Sequence, residues 1–204
     1  MATASNVASS AGPLDLRALL DSGAPASQIG SHLDALPYRS RLAEVLSLRG
    51  KEVQALYDAV ADAPALTLED IVPAAEKRTI IYEGRNSLPL FSGFQKRFAR
   101  VAGGAIVGYN HQSMSFVTGP GFFVVQEPSG KGEHAGEPYF DYTAAPPAIP
   151  EGFPAYAANE KGFSKLVYMD LLDYMRGAAK GVIVGRAWKR GSPEGSYFVL
   201  VREV

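Results

Sequence analysis

Between Leu14 and Ile71 apolar residues recur three or four positions apart in short bursts, each closed by glycine or proline. Leu16, Leu19 and Leu20 line one face of a helix predicted over 14–22, which follows Pro13 and stops at Gly23. Ile29, Leu33 and Leu36 mark a second helix, with Ser27 as its cap and Pro37 as its stop. Leu42, Val45 and Leu46 mark a third over 40–48. Val53, Leu56, Tyr57 and Val60 fall at i, i+3, i+4 and i+7 in a fourth, which ends before Pro64. Thr67 to Asp70 reads as a short capped turn. None of these helices is long enough to stand alone in water, so they must pack on one another or on the C-terminal two thirds of the chain. The expected organisation is a disordered tail over 1–12, a helical subdomain over 13–73 and a sheet domain over 78–204.

From Arg78 the period changes. Thr79–Tyr82 reads as a strand. Phe91, Phe94, Phe98 and Val101 then repeat at helical spacing with Lys96, Arg97 and Arg100 between them, which predicts an amphipathic helix with a basic outer face, ended by Gly103-Gly104. Ala105 to Val125 holds two apolar runs rich in Val, Ile, Phe and Tyr, a polar break at Asn110-His111-Gln112 and a Gly119-Pro120-Gly121 turn; both runs suit a pleated surface. Tyr139–Thr143 adds a strand, and the prolines between Ala145 and Pro154 predict a stiff, extended crossing. Ser164 looks like the cap of a helix reaching Ala179, with Leu166, Val167, Leu171, Tyr174, Met175 and Ala178 inward. Val182–Ala187 and Tyr197–Val201 close the chain as a hairpin. About six strands with hairpin connections predict an α+β fold: a bent antiparallel sheet or small open barrel packed against one or two helices.

Composition narrows the chemistry. The chain has no cysteine, which removes disulfides, thiolate metal sites and a cysteine nucleophile together. Its formal net charge of -1 gives no general pull toward nucleic acid or anionic membrane. Basic side chains do cluster over 96–100 and 186–190, where Trp188 offers a stacking surface. The acidic stretch from Glu127 to Glu160 lies between them, and mutual neutralisation on a folded surface explains the alternation better than a nucleic-acid face. No apolar run reaches the roughly 18 residues a spanning helix needs. The opening MATASNVASSAG lacks the basic start and apolar core of a secretory signal, so a cytoplasmic protein is expected.

Phosphate-loop, zinc-helix, nucleophile-elbow and dinucleotide patterns are all absent. Three histidines with no close pair give no metal site, and nothing in the sequence calls for a cofactor. The best local candidate is Tyr109-Asn110-His111-Gln112-Ser113, five hydrogen-bonding side chains at a strand end. A histidine such as His111 is a residue type that suits proton transfer near neutral pH; Asp141 can orient it or act as base if the two strands meet. Turn chemistry at Asn110-His111 explains the same residues without any activity. An aromatic bias through Tyr142, Tyr168 and their neighbours fits either an apolar ligand pocket or a filled core.

The sequence supports three readings. The first is a non-enzymatic domain that binds a small, partly apolar ligand or a protein partner, in a pocket between the sheet and the helix over 164–179. Tyr109, Asn110, Gln112, Tyr142 and Tyr168 would then be its contacts, together with His111 and Asp141. The second is a cofactor-independent lyase, isomerase or hydrolase with His111 and Asp141 as acid and base. The third is a subunit of a larger assembly docking through the helices over 14–62.

Overall fold

The computed structural model describes residues 15–87, 92–111, 119–128, 132–159 and 164–204. Eight strands close into an antiparallel barrel: β1 (Ile80–Asn86), β2 (Gly93–Arg100), β3 (Ile106–His111), β4 (Phe122–Gln126), β5 (Tyr139–Asp141), β6 (Leu171–Ala179), β7 (Val182–Lys189) and β8 (Ser192–Val201). Each strand pairs with its successor in sequence, and β8 returns to β1 with Gly84 opposite Leu200. The fold is thus a mixed α/β one, and the expected open barrel is closed. Closure leaves no unpaired edge.

Side chains alternate in and out along the strands, with irregularities between Gly177 and Ala179 and between Arg186 and Trp188. Tyr82, Phe98, Ile106, Phe123, Phe140, Met175, Phe198 and Leu200 form the interior cluster. Two strand glycines explain how so many rings fit. A Cβ on Gly108 would lie 2.4 Å from Phe123 Cζ, and one on Gly185 only 2.1 Å from Phe198 Cζ. Each glycine cedes its own interior volume to a ring from the paired strand.

The helices cover one outer face of the barrel. They are α1 (Leu16–Asp21), α2 (Ala26–Ala35), α3 (Tyr38–Ser47), α4 (Lys51–Ala59) and α5 (Leu68–Ile71). Leu16, Leu19, Ile29, Leu33, Val45, Val53 and Leu56 pack in one cluster with the outward residues Val182, Val184, Val199 and Val201 of β7 and β8. Each such buried side chain contributes about 2 kcal/mol relative to exposure. Helical spacing located α1 to α4, and the Thr67–Asp70 stretch, read as a short capped turn, opens α5 with a full capping box. Ser27 is not a cap: α2 begins directly after Pro25. A buried knot adds a polar tie. Glu137 accepts from the Tyr57 hydroxyl of α4 at 2.8 Å and from Arg176 Nε of β6 at 2.6 Å, and it pairs with His134 Nδ1 at 2.8 Å.

Two predicted helices are strands. The stretch expected to be helical from Phe91 to Val101 forms β2 over its described residues. The helix expected over 164–179 is a single turn, α6 (Ser164–Tyr168), followed by β6. Asp170 between them has φ 58°, a left-handed backbone that ends the turn and starts the strand. The expected tail over 1–12 lies outside the described residues, as does Gln112.

A buried polar centre in the barrel

The interior is apolar and rich in aromatic rings except near one end, where β2, β3 and β6 and the residue after β5 each turn a polar side chain inward. Lys96 on β2 and Asp173 on β6 are 2% and 5% exposed, and Asn110 and Tyr142 are buried beside them. Lys96 Nζ donates to Asn110 Oδ1 at 2.8 Å, to the Tyr142 hydroxyl, and to Asp173 Oδ2 at 3.4 Å. The Tyr142 hydroxyl donates to Asp173 Oδ2 at 3.0 Å and accepts from Asn110 Nδ2 at 3.3 Å. All three ammonium protons thus have acceptors, and the hydroxyl uses both its roles.

The surrounding shell is made of ring faces. Lys96 Nζ lies 4.7 Å from the Phe123 ring centroid, 4.8 Å from that of Phe140, 5.1 Å from that of Tyr142, 5.4 Å from that of Phe198 and 5.7 Å from that of Phe94. Their quadrupoles favour a cation there, but burial outweighs this. Desolvation lowers the Lys96 pKa to about 8, with Asp173 pulling the other way. Burial likewise raises the Asp173 carboxyl, against the pull of Lys96, and holds the Tyr142 phenol well above its ordinary value.

The barrel mouth nearest this centre is closed by α6. The Tyr168 ring stacks on Tyr142 at 5.3 Å with planes 9° apart. It lies over Gly121, where a Cβ would be 2.5 Å from the ring and where φ is +55°. Asn159 Nδ2 donates at 2.8 Å to the carbonyls of both Phe122 and Tyr142, fastening the proline-rich crossing to the same rim.

Asn110, Tyr142 and Tyr168, three of the residues singled out in the sequence, therefore meet here. Tyr109 does not join them: it points outward, against Phe122 and Phe153, at centroid distances of 5.8 and 4.8 Å. His111 ends β3 on the exposed side, opposite Gln95. Asp141 is level with Val124, itself opposite Val107, four residues back along β3 from His111. Its Oδ1 is occupied by Thr143 N, Thr143 Oγ1 and Ala144 N. The structure does not bring His111 and Asp141 together. Nor do Asn110 and His111 form a hairpin turn; both belong to the paired part of β3.

Lys96 and Asp173 are not evident from the sequence because each lies in a segment with helical spacing. The signal that could have found them is alternation: Phe94, Lys96 and Phe98 on β2, and Leu171, Asp173 and Met175 on β6, mark one face of a strand. The basic run over 96–100 also divides. Lys96 is interior, while Arg100 is spent on the carbonyls of Val72, Leu68 and Gly104. In the run over 186–190, Arg186 meets Glu133, Lys189 donates to the Leu166 and Val167 carbonyls, and Arg190 meets Asp170.

A recess of about 790 Å³ lies at the opposite end of the barrel, away from this centre, with Ala26, Gly30, Ala63, Leu66, Ala178 and Ile183 in its lining. Among the described residues no group of His, Asp or Glu is placed to hold a metal ion, and no helix is long and apolar enough to cross a membrane. Among the described residues, the large apolar side chains that remain exposed, such as Ile81, Tyr156 and Leu166, all lie outside the helices over 14–62. No family model, curated protein or solved structure matches the chain.

Proposed function

We propose that the protein binds a small, partly apolar ligand at the barrel mouth under Tyr168, with the Lys96–Asn110–Tyr142–Asp173 centre holding the ligand's polar end. One observation carries this reading: four polar side chains, two of them an ion pair, converge at one point of an otherwise apolar interior. A buried ion pair is a poor stabiliser, because desolvation offsets its attraction and apolar residues of similar size do as well or better. Perturbed titratable groups beside an apolar lining are the usual make-up of a binding site. An eight-stranded barrel is also wide enough for one small ligand.

The test uses a panel of aromatic acids, alcohols and aldehydes, read as shifts in the thermal midpoint. It compares the wild type with the Lys96→Met/Asp173→Leu double variant, which removes the ion pair without leaving either charge alone. Members of the panel should stabilise the wild type and not the variant. Equal shifts for both, or none for either, would sink the reading. The recess near Gly30 favours a second reading, in which the ligand sits between α2 and the β6–β7 end of the barrel. Gly30→Phe would then abolish the shifts and the double variant would keep them.

A further inference from the structure

We propose that Lys96 is an imine-forming lysine and that the ligand of this barrel is a small apolar aldehyde, with aromatic aldehydes the best fit. This deepens the binding reading above and rests on it. The geometry supplies each part such a reaction needs. The amine has a hydroxyl and a carboxylate in hydrogen-bonding reach, and those two are bonded to each other at 3.0 Å, so a proton can pass from nitrogen to Tyr142 to Asp173 and back. Asn110 Nδ2, bonded to the same hydroxyl, is a donor for the aldehyde oxygen as charge develops on it. Five ring faces surround the nitrogen; they favour an iminium cation as they do an ammonium and keep out the water that would hydrolyse it.

The steps balance. The Lys96 ammonium gives one proton through Tyr142 to Asp173. The freed nitrogen lone pair forms a C–N bond to the aldehyde carbon while the C=O π pair moves to oxygen. A proton passes from nitrogen to that oxygen, giving a carbinolamine. Asp173 then returns its proton to the hydroxyl, which leaves as water as the C=N bond forms. Ammonium and aldehyde have become iminium and water; the carboxylate again faces one positive charge, and nothing is oxidised or reduced. With its pKa near 8, Lys96 is about one-tenth free amine at pH 7, against well under a thousandth for an ordinary lysine. Room for the substrate comes from Tyr168. Its ring lies flat on Tyr142 from a one-turn helix, and an aromatic aldehyde presents a ring of the same shape to the same face.

The experiment treats the full chain with benzaldehyde and sodium cyanoborohydride and maps the reduced adduct over the eight lysines. Lys96 should be benzylated first, with a rate that rises through a midpoint near pH 8 while the other lysines respond only at higher pH. Tyr168→Ala should speed labelling of Lys96. Tyr142→Phe should slow it at least tenfold and leave the other seven unchanged. Lys96 unlabelled in both the wild type and Tyr168→Ala, with surface lysines modified, would overturn the proposal. Benzyl alcohol separates this from the underlying reading. If it stabilises the wild type but not the double variant while Lys96 stays unlabelled, imine formation falls and binding stands. If it does neither, both fall.

Discussion

Removing the Lys96 ammonium alone is the sharpest perturbation of this barrel. Lys96→Met keeps most of the side-chain volume and deletes three hydrogen bonds, to Asn110 Oδ1, Tyr142 and Asp173 Oδ2. Asp173 keeps the Tyr142 hydroxyl at 3.0 Å but loses its counter-charge inside the barrel. Breaking a buried pair from one side costs about 3–5 kcal/mol, whereas replacing both members with apolar residues is neutral or stabilising by about 1–4 kcal/mol. For a chain of this size each kcal/mol moves the midpoint by about 2–4 °C, so Lys96→Met should melt roughly 6–20 °C lower. Lys96→Met/Asp173→Leu should regain all of that or more. Urea unfolding followed by the fluorescence of Trp188, the single tryptophan, and by far-ultraviolet circular dichroism gives the free energies and tests two-state behaviour. A Lys96→Met loss below about 0.5 kcal/mol, or a double variant no more stable than the single, would show that the pair is not enclosed.

The pH dependence of stability should carry the same signature. The folded pKa of Lys96 is about 8 against an ordinary 10.5, so between those values the unfolded chain holds more protons and stability rises with pH. Relative to Lys96→Met, the wild type should gain about 2 kcal/mol between pH 7 and 10; a flat or falling difference contradicts the assignment. Gly185→Ala would force a Cβ against Phe198 and should cost roughly 1–3 kcal/mol. Gly93→Ala, also in a strand but with open space at its Cβ, should be neutral or slightly stabilising, and equal effects at the two would rule out ring packing as the cause. Glu137→Ala leaves Tyr57 and Arg176 without their shared acceptor and should cost about 3 kcal/mol, seen as early hydrogen exchange in α4; exchange there no faster than in the wild type would deny the knot its role.

Hydrophobic patterning identifies the fold wherever local and tertiary preferences agree. The N-terminal helices present unbroken apolar faces, and β3, β4, β7 and β8 are runs of Val, Ile, Phe and Leu whose strand character shows without context. Patterning fails at β2 and β6, for one reason. Each carries an ionisable residue at an inward position, Lys96 and Asp173, and a charge on the inward face masks an alternation that only the flanking Phe94 and Phe98, and Leu171 and Met175, still mark. Phe94 and Phe98, four apart, share a face in a helix and in a strand alike, so the helical alternative fits as well. The two misread elements are those that supply the ion pair, where tertiary pairing overrides local preference. Only pairing decides the matter: β2 is held between β1 and β3, and β6 between β5 and β7. Closure is illegible for a similar reason, since the β1–β8 pairing joins segments at opposite ends of the sheet domain.

Binding at the Lys96–Asp173 centre predicts a ligand that stays with the folded protein. Its most direct test is native mass spectrometry of the wild type and of Lys96→Met/Asp173→Leu, both purified from the protein's own host. Extra mass of a small molecule on the wild type, absent from the folded double variant, is the predicted result. The same extra mass on both proteins, or on neither, would contradict the claim.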